Sequence, residues 1–170
     1  MDPKDTSTSA PVSPYVGKMF YELDRSLDFK DELVALGLKI WREAKIDGSL
    51  PSREDFDPLR MPPRLLPHIL LIDVIQEPKV QIRWRLVGTY ITGRVGRDMT
   101  GQIWDEIYEG SVLDEMSKAP LWALEHHAPI RAVGAAPMED KGFLTSENLF
   151  APLSMDGETV NMLFAGSVLK

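Results

Sequence analysis

The chain has 170 residues, of which 44% are hydrophobic, and this is the size and composition of one globular domain with its own core. It contains no cysteine, which excludes disulfides, thiolate zinc sites and cysteine nucleophiles and is typical of a protein from a reducing cytoplasm. The net charge of −7 argues against binding to nucleic acid or to an anionic membrane through bulk electrostatics.

The N-terminal residues 1–14 are rich in Ser, Thr and Pro and lack hydrophobic periodicity, so we expect a disordered tail. They also lack the apolar segment of an export signal. No part of the chain approaches the ~18 consecutive apolar residues of a membrane-spanning helix. We therefore expect a cytoplasmic protein without a membrane span.

The first predicted helix begins at Asp28, as its N-cap, and ends at Asp47. Its apolar residues recur at helical spacing and form a broad stripe. Two interpretations stay open: the stripe packs on the sheet of its own domain, or it contacts both that sheet and a second copy of the chain. The residues that would form the dimer interface are Leu33, Leu36, Ile40 and Trp41.

A proline-rich connector follows the helix, because the prolines between residues 50 and 67 exclude both a long helix and central strand pairing. We divide the chain into the tail (1–14), the helix and connector (15–64) and the main domain (65–170).

The main domain opens with two predicted strands, residues 69–75 and 80–89, joined as a hairpin. The glycines between residues 88 and 101 predict short helices, and a longer helix follows from about Ser111 to His126, which Pro120 should break or kink. Three more strands are predicted at residues 130–138, 143–152 and 159–168. This order predicts an α+β domain, with a five-stranded antiparallel sheet and helices on one face.

Charge is distributed unevenly along this domain. Every charged side chain in the stretch from Lys79 to Arg97 is positive, while most charged side chains from Asp105 to Glu125 are acidic. The basic stretch is either a solvated surface or a site for an anionic ligand or an acidic partner.

Four short motifs accompany this order of elements. They are Leu50-Pro51-Ser52-Arg53 with Asp57-Pro58, Leu65-Leu66-Pro67, Arg83-Trp84-Arg85-Leu86-Val87-Gly88-Thr89 and Gly96-Arg97-Asp98-Met99-Thr100-Gly101. With them the chain resembles a PAS domain, and more closely a bacterial subfamily of small, mostly standalone PAS proteins. The resemblance implies a sensory or protein-interaction module in signalling. It implies no particular cofactor, because PAS domains bind haem, flavins, small acids or nothing.

A pocket between the sheet and the helices is the expected place for a ligand. Aromatic side chains would line this pocket, and polar groups would orient the ligand. The candidates are Trp84, Arg85, Tyr90, Trp104, Trp122, His126 and Asn148. The alternative for the aromatic residues is an ordinary hydrophobic core. The spacing of the histidines matches no metal site, and no nucleophile or phosphate-binding motif is present, so we predict neither a metal nor catalysis.

Two functions follow from this, and an unrecognised enzyme is the remaining alternative. The first is a non-catalytic signalling module that acts as a homodimer and through contact with an unidentified signalling protein. Since no effector segment separates the last strand from Lys170, its output should pass through such contacts. The second is a sensor that binds a small molecule, and possibly an anion, in the internal pocket.

Overall fold

The structure is a computed structural model that describes residues 19–45, 47–138 and 142–170. The tail predicted over residues 1–14 lies outside the described residues. Within them, one antiparallel sheet carries all the strands, in the order β1-β4-β5-β6-β2-β3. The strands are β1 (Phe20–Asp24), β2 (Ile69–Ile75), β3 (Gln81–Val87), β4 (Ile130–Met138), β5 (Gly142–Ser154) and β6 (Val160–Leu169).

The α+β class and the predicted strands are confirmed, but the sheet has six strands instead of five. The additional strand, β1, pairs with β4 at the edge of the sheet. It was missed because it has only five residues and exposes Phe20, so the usual alternation of apolar and polar residues is too short to recognise.

Four α-helices complete the described part of the chain: α1 (Glu32–Ala44), α2 (Thr89–Val95), α3 (Trp104–Ile107) and α4 (Gly110–His126). The predicted start of α1 was wrong by one turn. Its N-cap is Asp31, whose carboxylate accepts hydrogen bonds from the backbone N–H groups of Leu33 and Val34. The predicted break at Pro120 was also wrong, because α4 continues through this buried proline.

The helices lie on both faces of the sheet. Helix α1 packs through Gly37 against Leu149 of β5 and Phe164 of β6. Neighbouring residues of a strand point to opposite faces, so Asn148 lies on the other face, which α2, α3 and α4 cover. For α2, α3 and α4, packing on the sheet was the only expectation. For α1, an additional contact with a second copy of the chain was left open.

The connector covers the α1 face beside the helix. The ring of Phe56 lies 4.2 Å from the ring of Phe164, and the Arg53 guanidinium donates to the carbonyl oxygen of Phe56 at 3.0 Å. Asp57 caps the short turn that Pro58 begins, by accepting from the N–H of Leu59. The motif around these residues therefore holds the connector on the sheet.

Candidate functional site

A cavity of about 60 Å³ lies between the sheet and helices α2, α3 and α4. Strands β1 to β6 supply its floor, and the helices with the loop before α3 supply its walls. Its lining residues are Tyr21, Leu70, Trp84, Ile91, Val95, Met99, Trp104, Met116, Ala119, Ala132, Asn148, Phe150, Ser167 and Leu169. No charged side chain belongs to this lining.

The floor of the cavity carries a row of buried polar side chains. Asn148 is its centre: its amide nitrogen donates to the Ala132 carbonyl at 3.1 Å and to the Ser146 hydroxyl at 2.9 Å. Its amide oxygen accepts from the Ser167 hydroxyl at 2.6 Å. Asn148 thus uses both donor hydrogens and its oxygen inside the row, which fixes the orientation of its amide.

Tyr21 extends the row to the edge strand. Its side chain is hydrogen-bonded to Ser146, on the far side of Gly134 in the intervening strand β4. A Cβ atom on Gly134 would lie 2.2 Å from the Tyr21 ring, so only glycine lets this ring cross the strand. The backbone N–H of Tyr21 donates to the carboxylate of Glu115 in α4 at 2.8 Å.

An aromatic cluster forms one wall. The ring centroids of Trp84 and Trp104 are 4.7 Å apart, and Tyr108 meets Trp104 edge-on at 6.0 Å. The Trp84 indole N–H donates to the Tyr108 hydroxyl at 3.3 Å, and this hydroxyl donates to the sulfur of Met99 at 2.9 Å.

Trp104 differs from the other buried tryptophans in its hydrogen bonding. Trp41 and Trp84 both donate their indole N–H, Trp41 to the Pro152 carbonyl at 2.9 Å. The Trp104 side chain is 1% exposed, and its N–H has no hydrogen-bond partner within the described part of the chain. Such a buried donor is rare in proteins and destabilises the empty site.

The segment before Trp104 is held against the outer edge of β3. Gly101 donates to the Trp84 carbonyl at 2.6 Å, and the Trp84 N–H donates to the Gln102 carbonyl at 3.0 Å. Gly101 has a φ of +87°, and Asp98 accepts from the N–H of Thr100, so the motif forms a tight turn. This turn positions Trp104 beside Trp84.

Both tyrosines near the cavity are held in their neutral form. Burial raises the pKa of the Tyr108 phenol well above its ordinary value. Burial also raises the pKa of Tyr21, and the negative charge of Glu115 adds to this, although the hydrogen bond with Ser146 opposes it.

Three predicted pocket residues, Trp84, Trp104 and Asn148, line the cavity. Four others lie outside it: Arg85, Tyr90, Trp122 and His126. Arg85 is exposed at the side of β3 that faces away from the cavity, 4.0 Å from Asp73. Tyr90 donates to the Leu169 carbonyl and stacks on His68.

Trp122 and His126 form a separate cluster on the outer surface of α4. Their rings are stacked at 4.2 Å, and the Arg25 guanidinium lies 5.5 Å from the Trp122 ring centroid. The histidine is exposed and contacts the Trp122 carbonyl at 2.9 Å. One-turn spacing along a helix brings these two together, and neither belongs to the cavity lining.

The basic stretch does not converge on an anion site. Arg83 binds the buried carboxylate of Asp73 at 2.7 Å, Arg94 lies over the Tyr90 ring, and Arg97 donates to the side chain of Gln102. Arg83 and Arg85 therefore share the carboxylate of Asp73, while Arg94 and Arg97 are engaged elsewhere.

The four residues suggested as a dimer interface differ in burial. Trp41 is 3% exposed and its N–H is bonded to β5, so its side chain belongs to the core of its own domain. Leu33, Leu36 and Ile40 are half-buried and pack against that core from α1.

The cavity also contains residues that sequence reasoning missed. Tyr21 comes from the unrecognised strand β1. Ser167 lies in a strand that was predicted, but a single serine in a strand carries no signal of a pocket. Side chains on one face of a sheet recur at every second residue of a strand. Counting in this way from Asn148, along its own strand and across to the paired strand, would have identified Ser146 and Ser167.

The matching family model is that of a PAS domain, and it covers residues 34–168. The chain belongs to the PAS domain family. Its match begins inside α1 and takes in the connector, the cavity walls and strands β2 to β6. No curated protein matches the chain significantly.

Two further observations concern the described residues of this PAS domain. None of its helices there is long and apolar enough to cross a membrane. Within the same ranges, no three His, Asp or Glu side chains are grouped closely enough to hold a metal ion.

Proposed function

We propose that this PAS domain is a non-catalytic sensory module of bacterial cytoplasmic signalling, and that it binds a small molecule in its central cavity. The observation that carries the proposal is the cavity itself, which is lined by buried polar side chains of the sheet and by Trp104, whose buried indole N–H has no partner among the described residues. The motifs shared with the small standalone PAS proteins build this wall and the connector, which supports that closer relationship.

The energetics favour an occupied cavity. An empty space of about 60 Å³ destabilises a core by roughly 1 kcal/mol, at about 24 cal/mol per Å³. An unsatisfied buried donor adds about 1–3 kcal/mol. A ligand that fills the space and accepts from Trp104 would recover part of both contributions.

The lining offers no catalytic machinery. The Ser167 hydroxyl donates to the amide oxygen of Asn148, which is not a base, and the burial of Tyr21 raises the pKa of its phenol. Activation of a hydroxyl nucleophile requires an adjacent general base, and the lining provides no His, Asp or Glu. These features support a binding role.

The test is native mass spectrometry of the protein purified from its own host, followed by release of bound compounds under denaturing conditions. We expect a stoichiometric small molecule. The matched variant is Ala119→Leu, which places a larger side chain in the cavity from α4. It should remain folded by thermal unfolding and lose the compound. Two findings together would contradict the proposal. The first is a wild-type protein that carries no bound compound. The second is that no added small molecule raises the unfolding temperature of the wild type without also raising that of Ala119→Leu.

A second candidate concerns how the signal leaves the domain. Leu33, Leu36 and Ile40 keep part of their surface exposed along α1, although the helix is already anchored by Trp41. We propose that this strip supports a homodimer or contact with a signalling partner.

A further inference from the structure

We infer that the ligand of the cavity is a small, uncharged molecule with a hydrogen-bond acceptor, such as a ketone, an aldehyde or an alcohol, and that Trp104 recognises this acceptor. The inference rests on the proposed function of the cavity, and it narrows the ligand class that this function leaves open.

The absence of charge in the lining excludes an ionised ligand. The fourteen residues of the lining include no Lys, Arg, His, Asp or Glu. A carboxylate or ammonium group that leaves water for such a site finds no countercharge, which makes its burial very unfavourable. The arginines of the basic stretch are engaged elsewhere, with Arg83 on Asp73 and Arg97 on Gln102.

The hydrogen-bonding pattern specifies an acceptor. In the polar row, the amide of Asn148 already uses two donor hydrogens and its oxygen. The Trp84 N–H is likewise bound to Tyr108. The indole of Trp104 is a donor only and lacks a partner in the described ranges, so an oxygen acceptor is the group that the site needs.

The size of the cavity limits the ligand to a few non-hydrogen atoms. Its volume of about 60 Å³ is several times below the roughly 300–1,000 Å³ of pockets for drug-sized ligands. Haem and flavins are far too large for this space unless the core rearranges.

The inference is tested with three probes of similar size: 2-butanone, 2-methylbut-1-ene and butanoate. The ketone carries an acceptor, the alkene has the same shape with a methylene group in place of the oxygen, and butanoate is charged at neutral pH. Binding is followed by NMR on the indole N–H signals of the full chain, which contains four tryptophans. Loss of one signal in Trp104→Phe assigns that of Trp104.

We expect 2-butanone to move the Trp104 signal downfield, as a new hydrogen bond requires, while the signal of Trp41, already bonded to Pro152, stays in place. The alkene should bind without this shift, and butanoate should not bind. Trp104→Phe should weaken the ketone about fivefold more than it weakens the alkene, since the net value of one such bond is about 1 kcal/mol. Trp122→Phe, on the outer surface of α4, is the matched control and should change neither affinity.

The outcomes separate the two proposals. If butanoate binds as tightly as 2-butanone, or if ketone and alkene bind equally without moving the Trp104 signal, the ligand class is wrong and the binding function stands. If no probe binds and the protein from its host is empty, the binding function itself is wrong. The shift in the wild-type protein decides the inference even if Trp104→Phe does not fold.

Discussion

Glu147 is a half-buried carboxylate that ties separate segments to the sheet. It accepts from the Arg131 guanidinium at 2.7 Å and from the backbone N–H groups of Lys30 and Asp31 at 2.8 Å. Arg131 also donates to Asp24 at the end of β1. The side chains of Arg131 and Glu147 are only 14% and 11% exposed, so water screens this pair poorly.

Replacement of Glu147 by Ala should therefore lower the free energy of unfolding by about 3 kcal/mol, because it removes one of the two carboxylates that pair with Arg131 and the acceptor of two backbone N–H groups. Urea unfolding measures this change. The matched control is Glu43→Ala, which removes an exposed ion pair with Lys39 at 3.9 Å and should cost less than about 0.5 kcal/mol. Equal losses in the two variants would contradict the role of Glu147.

The buried tyrosines predict a loss of stability in alkali. In the unfolded chain a phenol ionises near pH 10, whereas burial raises the pKa of Tyr108 and Tyr21 in the folded protein. Above about pH 10 the unfolded state therefore binds fewer protons than the folded state, and the free energy of unfolding falls as the pH rises. Urea unfolding between pH about 9 and about 11 should show this slope, and Tyr108→Phe should reduce it. A slope that Tyr108→Phe leaves unchanged would contradict the assignment.

Single site residues were predictable only where their chemistry was conspicuous. Trp84 and Trp104 were identified as large aromatic residues, and Asn148 as a polar residue in an apolar strand. Trp122 and His126 are residues of similar kinds, but whether their side chains face the cavity depends on how α4 is rotated about its axis against the sheet. That rotation is fixed by contacts with β1, β4 and β5, which are distant in sequence.

The N-terminus of α1 is the element boundary that the structure corrected. Both Asp28 and Asp31 suit an N-cap, but only Asp31 accepts from helix N–H groups, at 2.8 Å from Leu33 and 3.3 Å from Val34. Asp31→Ala should lower the free energy of unfolding by about 1 kcal/mol. Asp28→Ala, at an exposed position, should change it by less than about 0.5 kcal/mol. Urea unfolding compares the two, and a larger loss for Asp28→Ala would move the cap back to that residue.

Helices, strands and turns were predicted most accurately where the neighbouring residues in the sequence determine them. The run of β-branched and apolar residues in β2 predicted its bounds, residues 69–75, and the turn between β5 and β6 is likewise local, since Asp156 accepts from the N–H groups of Glu158 and Thr159. Pro120 misled because a helix interior tolerates proline where tertiary packing compensates for the lost hydrogen bond. Pro120 is buried in that packing.

At the scale of the whole molecule, the order of elements was enough to indicate the fold, but it did not place α1. An amphipathic stripe fits a sheet and a partner equally well. The direct contacts of Gly37 and Trp41 with β5 and β6 show that α1 packs on its own sheet. A further contact with a second copy remains our proposal.

The double substitution Leu36→Glu and Ile40→Glu tests that proposal. Both side chains are half-buried at the surface of α1, so the two carboxylates should repel a second copy and give a monomer by light scattering. Lys39→Glu with Glu43→Lys is the matched control. It changes exposed residues of the same helix and should leave the oligomeric state unchanged. A double variant that is folded and still dimeric would remove α1 from the interface.

The edge position of β1 has a kinetic consequence for the cavity. Among the described strands, β1 is a short edge strand that pairs only with β4, so we expect it to open more readily in local fluctuations than the central strands. Each opening withdraws Tyr21 from the wall and connects the interior with solvent. The rate at which a bound molecule enters or leaves should therefore follow the hydrogen-exchange rate of the β1 amides, which makes this strand a gate whose speed is independent of how tightly the interior binds.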